Sequence, residues 1–383
     1  MSYLTIAKAQ FMKGSGIMIE VSLCMIVKDE EAVLARCLEC VKNIVDEIII
    51  VDTGSTDRTK EIAQSYTSNV YDFKWINDFA AARNFAFSKA TKDYIFWLDA
   101  DDVMEVKDQQ SFLKLKATIP PEVDSVLMNY HIHFDNAGNP TFSTMRNRMV
   151  KRSCQFKWVG EVHECLNVHG LVAQSNTVIY HKKEKSSAGR NLKIYQEKLK
   201  QENSFSSRDL FYYANELLAN HYYQEAIIEY DIYLKDTSGW VEDRVAACIQ
   251  KSICYYHLQQ PVQQVSALCE SFLFDIPRSE VCCRLGEVFL NQLADPDKAI
   301  FWYTFSLNLP APPTLRGLYN EPHTRTWLPH IQLAAAYERK NDLEKALHHT
   351  KIALEINPDN LNIQQNNDML LTKLTKEEDT SYA

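Results

Sequence analysis

The chain has 383 residues, 46% of them hydrophobic and 24% charged, the balance of a soluble globular protein with room for two or three domains. Its formal net charge of −9 at pH 7 argues against nucleic acid as a partner. No apolar run reaches the about 18–20 residues needed to cross a bilayer, so no transmembrane segment is expected. Residues 1–19 read as a poorly ordered leader. They carry Lys8 and Lys13 but no continuous apolar stretch and no cleavage site, and Met18 is an alternative start. The ten cysteines sit mostly in apolar contexts, as Cys24, Cys254 and Cys269 do. Cys37 and Cys40 are spaced like half a zinc site, but no matching second pair follows. Cysteines in this number without a framework imply a reducing compartment, and a cytoplasmic location is expected.

Residues 20–104 alternate between strand and helix patterns. Glu20–Val27 is rich in β-formers, and Glu30–Lys42 has helical spacing through Val33, Leu34, Cys37, Leu38 and Val41. Glu47–Asp52 is a short apolar run of the kind buried in a parallel sheet. A turn at Thr53–Asp57, a helix at Arg58–Tyr66, a strand at Asn69–Phe73, a helix at Phe79–Ala90 and a strand at Tyr94–Leu98 follow. This alternation implies a doubly wound α/β sheet whose ligands bind in the loops where strands end. After a helix at Asp108–Ala117, the strands Ser125–Phe134 and Thr141–Lys151 flank a hairpin signal at residues 136–139. Thr177–His181 reads as one more strand.

From about Arg190 the pattern is helical. The ~34-residue tetratricopeptide period fits the last unit best, through Leu333, Ala334, Tyr337, Ala346, Ala353 and Pro358. Ala226, Val265, Ala299 and Ala346 mark equivalent small-residue positions, with a Pro-rich insertion at Pro310–Pro313. An irregular helical bundle is the alternative. The expected organisation is a leader over 1–19, an α/β domain over 20–188, helical repeats over 189–375 and a tail over 376–383.

The strongest local signal is Phe96-Trp-Leu-Asp99-Ala-Asp101-Asp102. Asp99 and Asp101 follow directly on a buried strand, where both can aim at one site. Like charges so close resist ionising together, and a hard divalent cation with oxygen ligands relieves that. The competing reading is a solvated acidic turn. Asp52 ends a strand before a Gly turn and a helix, a nucleotide-binding context in which it can accept from a base N–H or a ribose hydroxyl. Asp57 is either a second ligand there or the cap of the following helix. The first strand ends in Val27-Lys28-Asp29-Glu30-Glu31, again at the edge of the site. Arg83, in Asp78-Phe-Ala-Ala-Ala-Arg83-Asn84, lies in an apolar helix start and needs a partner; a diphosphate or Asp52 would serve.

In this order the four motifs resemble the family-2 glycosyltransferases of GT-A fold, over about residues 20–185. The resemblance implies that Val27, Asp29, Asp52 and Arg83 line a nucleobase and ribose site. It implies that Asp99 and Asp101 form the D-x-D pair, with Asp101 the direct metal ligand. Where the family usually has Asn-Glu, this chain has Asp29-Glu30. Trp158-Val-Gly-Glu161-Val-His163-Glu164 resembles the W-x-G-x-V-H-E segment of one branch of these enzymes and is expected on the acceptor side. Glu164 is the first choice for the base that deprotonates the acceptor and Glu161 the second, unless both are surface charges. His181 is the histidine expected to complete the metal site, with an ordinary exposed histidine as the alternative. Lys182, Lys183, Lys185 and Arg190 either help to hold the diphosphate or form a solvated linker.

The resemblance therefore implies an inverting transfer from a nucleotide-sugar, with a UDP-hexose the expected donor and Mg²⁺ or Mn²⁺ the expected cofactor. Concave repeat surfaces commonly bind peptides. A peptide or protein acceptor is expected, as in the sublancin-type peptide S-glycosyltransferases that this layout resembles, and a homodimer through the repeats is a candidate assembly. A cell-surface glycan or lipid-linked acceptor is the alternative within the enzyme class. An inactive scaffold is the alternative outside it.

Overall fold

A computed structural model of the chain describes residues 6–7, 18–134, 138, 140–182, 189–202, 205–236, 238–310 and 321–381. Two compact units divide the chain: residues 1–133 with 143–187, and residues 134–142 with 188–383. Most of the expected hairpin turn (136, 137 and 139), Lys183, Lys185 and the Pro-rich insertion beyond Pro310 lie outside the described residues.

The first unit follows the order β1 (Ile6–Ala7), β2 (Val21–Val27), α1 (Leu34–Val41), β3 (Glu47–Asp52), α2 (Thr59–Tyr66), β4 (Val70–Asp72), α3 (Phe79–Lys89), β5 (Tyr94–Trp97), β6 (Asp102–Val103) and α4 (Val106–Thr118). Then come β7 (Ser125–Phe134), β8 (Pro140–Lys151), β9 (Lys157–Val159), β10 (Cys165–Asn167) and β11 (Val172–His181). The main sheet runs β1-β11-β7-β8-β5-β2-β3-β4, with β6 on β11, and β9 and β10 form a separate ribbon. β2 pairs in parallel with both β3 and β5, whereas β8 is antiparallel to β5. The sheet is therefore mixed. The segment expected as an unordered leader departs from that expectation at Ile6 and Ala7, which pair in parallel with Val172 and Ala173.

Alternation along the central strands sorts the core into two layers. Leu23, Met25, Val27, Ile50 and Phe96 pack on one face with Leu34, Cys37, Leu38 and Val41 of α1. Cys24, Ile49, Val51, Ile95 and Trp97 pack on the other with Ala80, Ala86 and Phe87 of α3. Both faces being covered, these strands read in the sequence as unbroken apolar runs. Val27 pairs with Asp52, so the two chain reversals that carry the expected ligands stand side by side at one sheet edge. Among the described residues, no helix is long and apolar enough to cross a membrane.

The second unit contains α5 (Arg190–Glu202), α6 (Ser207–Ala219), α7 (Tyr223–Lys235), α8 (Val241–His257), α9 (Pro261–Glu270), α10 (Ser279–Asn291), α11 (Pro296–Leu307), α12 (Trp327–Arg339), α13 (Leu343–Ile356) and α14 (Leu361–Ser381). Four helix pairs, α6/α7, α8/α9, α10/α11 and α12/α13, each turn through one residue in left-handed conformation: His221, Gln259, Ala294 and Asn341. In three of these turns the same bond recurs, from the N–H of Tyr222, Gln260 and Asp342 to the carbonyl five residues back, Leu217, Tyr255 and Tyr337. The small positions Ala226, Ala299 and Ala346 are fully buried, while Val265 is only partly so. Separate clusters join successive pairs, so each pair buries its apolar face on its neighbours.

Gly286 shows how close the paired helices come. A Cβ there would lie 2.7 Å from the ring of Tyr303, which is itself buried. Gly286→Ala should therefore destabilise the α10/α11 pair by about 1–3 kcal/mol, despite alanine's better helix propensity. Denaturant titration of the full chain would read this, and an unchanged transition would contradict it.

Candidate active site

Asp52 closes β3 with its side chain turned inward, 4% exposed. Its Oδ2 accepts from the N–H groups of Gly54 (3.1 Å) and Ser55 (3.0 Å), which fixes the turn. Gly54, at φ +101, has the backbone that turn requires. The other oxygen, Oδ1, is buried with no hydrogen-bond partner. An unsatisfied buried carboxylate oxygen is costly, so this atom is a ready acceptor for a ligand N–H or hydroxyl.

Asp29 ties the loop after β2 to the loop after β3. Its Oδ1 accepts from the Thr56 N–H (2.7 Å) and hydroxyl (3.2 Å), while its own N–H donates to Ser55 Oγ (2.9 Å). Asp29 sits at φ +53, a conformation aspartate tolerates. Asp57 performs a similar internal task. Its Oδ1 accepts from the Thr59 N–H and hydroxyl, and its Oδ2 from the Glu31 N–H. Both Asp57 oxygens thus brace the two loops against each other.

Within the protein, Arg83 pairs with two carboxylates other than Asp52. Its Nη2 donates to Asp99 Oδ1 (2.7 Å) and its Nε to Glu164 Oε1 (2.5 Å). The guanidinium stands 4.9 Å from the ring centres of both Trp97 and Trp158. Burial works against its charge, but Asp99 and Glu164 overcome that and raise its pKa. Burial alone would likewise raise Asp99, yet Arg83 and Arg148 hold its carboxyl well below the usual carboxylate range. Asn84 anchors the ribbon that brings Glu164 here, exchanging hydrogen bonds with the backbone of Trp158 (2.9 and 3.0 Å). In the same ribbon the carbonyl of Glu161 accepts from the Phe79 N–H (2.9 Å), pinning it to the start of α3.

Asp99 was expected beside Asp101 on a metal, but its carboxylate is turned to Arg83. The acid that joins Asp101 and His181 is Asp102: these three place ligand atoms within 4.8 Å of one another. The turn explains the exchange. Asp102 N–H donates to the Asp99 carbonyl (3.1 Å), and the Asp99 N–H donates back to Asp102 Oδ2 (3.0 Å). Pairing of β6 with β11 sets His181 opposite Asp102. His181 Nδ1 lies 3.4 Å from an oxygen of each acid, without the alignment of a hydrogen bond. Burial lowers the imidazole, but Asp101 and Asp102 outweigh it and raise its pKa to about 9. Two carboxylates and one ring nitrogen thus converge, and this oxygen-rich donor set fits a hard divalent ion.

Beneath this cluster lies a network that the sequence did not announce. Arg148 and Asp102 are both fully buried, and Arg148 Nη1 donates to Asp102 Oδ2 (2.9 Å). Tyr130 donates its hydroxyl to Asp102 Oδ1 (2.9 Å). The Arg148 guanidinium is stacked between Trp97 (3.9 Å) and Tyr130 (4.2 Å). Asp102 was visible as the third acid of its run; Arg148 and Tyr130, on strands β8 and β7, carried no local signal. Lys182 contributes its backbone N–H to the Asp101 carbonyl (2.9 Å).

The description "Glycosyl transferase family 2" matches residues 22–172. The SPbeta prophage-derived glycosyltransferase SunS of Bacillus subtilis is 30% identical over 208 residues, 50% of this chain and 48% of that one. A TPR repeat-containing protein of Synechococcus elongatus is 53% identical over 85 residues, covering 22% of this chain and 21% of its own. An uncharacterized glycosyltransferase of Rickettsia typhi is 36% identical over 96 residues, 24% of this chain and 32% of that one. The chain thus spans half or less of the length of each of these relatives. With the mixed sheet, the acids at its edge and the helix pairs that follow, these matches identify residues 22–172 as a family-2 glycosyltransferase domain joined to tetratricopeptide-like repeats.

Proposed function

We propose that the chain transfers a hexose from a UDP-sugar to a peptide or protein acceptor, in a metal-dependent reaction that inverts the anomeric centre. The observation that carries the donor reading is the buried, unbonded Oδ1 of Asp52 at the edge shared by β2 and β3. A buried acceptor atom in this position suits the N–H edge of a nucleobase. Val27, buried at the end of β2, and the Asp29-stapled loop complete that edge. The metal site is Asp101, Asp102 and His181, which offer the oxygen and imidazole ligands that Mg²⁺ or Mn²⁺ accepts. Such an ion supplies electrostatic relief to the leaving diphosphate.

Glu164 acts as base. Arg83 fixes its Oε1, which leaves Oε2 to take the acceptor's proton. The acceptor's lone pair forms the new bond to the anomeric carbon as the carbon–oxygen bond to the diphosphate breaks, and the electron pair leaves with UDP. Arg83 and its two flanking indoles hold Glu164 and Asp99 in place during the attack. The acceptor class rests on the repeats, whose stacked pairs offer an extended surface to a peptide.

Calorimetric titration of UDP with and without Mn²⁺ tests the donor reading. Wild type should bind UDP in a metal-dependent way, and Asp101→Ala should lose that dependence together with at least about tenfold in affinity. Equal affinity in the two proteins would remove the metal site. Failure to bind any nucleoside diphosphate would shift the reading to a scaffold.

A further inference from the structure

Tyr130 lies on β7 and is only 5% exposed, too deep to meet a substrate itself. The parallel register of β7 with β11 sets it opposite Ile179, and His181, two positions on, shares that face of the sheet. One side chain therefore meets two members of the acidic cluster. Its hydroxyl donates to Asp102 Oδ1 (2.9 Å). Its ring packs on the His181 imidazole, with centroids 5.5 Å apart and planes tilted by 59°. The Arg148 guanidinium, 4.2 Å from the ring centre, braces the phenol in that place.

The two oxygens of Asp102 have different tasks. Oδ2 accepts from Arg148 Nη1 (2.9 Å) and from the Asp99 N–H (3.0 Å), which together occupy its lone pairs. Oδ1 accepts from Tyr130 and is the Asp102 oxygen that lies 3.4 Å from His181 Nδ1. It keeps one lone pair for the cluster. Asp102 thus offers a cation a single oxygen, and the direction of that lone pair depends on how the carboxylate plane is turned. Arg148 and the Asp99 N–H hold one end of the plane, and the Tyr130 hydroxyl holds the other. Metal ligands oriented by a hydrogen-bonded partner bind their ion more tightly than ligands free to turn.

We propose that Tyr130 is a positioning residue of the metal site, whose hydroxyl aims Asp102 Oδ1 at the point shared with Asp101 and His181. The proposal rests on the metal site proposed above and adds to it a residue that touches neither ion nor substrate. Its effect passes through Asp102 alone, so it belongs to the affinity for the ion and not to the affinity for the nucleobase.

The test is a titration of Mn²⁺ into the full chain at a fixed, saturating UDP concentration, with the free ion read by electron paramagnetic resonance; no transfer step is involved. Tyr130→Phe keeps the ring against His181 and Arg148 and removes only the hydroxyl. It should weaken Mn²⁺ binding by about 10–100-fold, the usual loss when the partner of a metal ligand is removed. Tyr130→Leu removes the ring as well. It should lower the denaturation midpoint more than Tyr130→Phe does, and the folded chain should show at least the same loss of Mn²⁺ affinity. A residue serving the fold alone would shift the midpoint and leave the ion affinity of the folded chain at the wild-type value. That result in Tyr130→Phe, or tighter Mn²⁺ binding, overturns the proposal while the metal site stands. Absence of Mn²⁺ binding in wild type removes the metal site itself, and the proposal with it.

Discussion

Asp102→Ala should cost the first unit about 3–5 kcal/mol of stability, the range for removing one partner of a buried charge pair. The substitution removes the carboxylate that the fully buried Arg148 guanidinium is paired with. It also strips the acceptor from Tyr130 and from the Asp99 N–H. The stacking of Arg148 between Trp97 and Tyr130 remains but cannot replace a counter-charge in a dry site. Asp102→Leu combined with Arg148→Met should recover much of the loss, because the desolvation of both charges disappears together. Hydrogen exchange at β5 and β8 measures this locally, without assuming that a two-unit chain unfolds in one step. Unchanged exchange in Asp102→Ala would mean that the pair does not support the sheet.

Glu164→Gln should leave UDP affinity unchanged and slow transfer by about 10²–10⁴-fold, the range for removing a general base. Gln keeps an oxygen for Arg83 Nε, so the ribbon and the Arg83–Asp99 pair should stay in place. Single-turnover kinetics at saturating donor isolates the chemical step. The informative failure is a parallel fall in donor affinity and transfer. Glu164 would then act only through Arg83, and Glu161 would become the base to test.

How much of this was legible depended on whether the signal was local. β3 matches its expected range, Glu47–Asp52, because a strand covered on both faces must be a continuous apolar run. β7 also matches its expected range, Ser125–Phe134, with alternate burial at Val126, Met128 and Tyr130. The helix from Glu30 instead begins at Leu34, since Glu30 and Glu31 serve the loop that meets Ser55–Thr59. The two-residue β6 and the β9–β10 ribbon are too short to impose a period on the sequence. In the site, the acids were visible by type but not by direction. Which of Asp99, Asp101 and Asp102 faces His181 is decided by a reversed turn and by a strand some eighty positions later, and neither leaves a local mark. Arg83 was expected to need a partner and has two; Glu164, 81 positions away, became one of them through the fold alone.

The two indoles that flank Arg83 make the site observable by light. Trp97 and Trp158 meet edge to face with centroids 4.8 Å apart and planes at 85°. Excited states of chromophores this close mix, which gives paired bands of opposite sign in the ultraviolet circular dichroism. Trp97 sits on the central sheet and Trp158 on the ribbon that carries Glu164, so the signal reports the registration of those two parts rather than the content of secondary structure. A ligand or substitution that shifts Arg83 against either ring changes the bands without any label being introduced, and an intact pair in a variant shows that the ribbon carrying Glu164 is still seated.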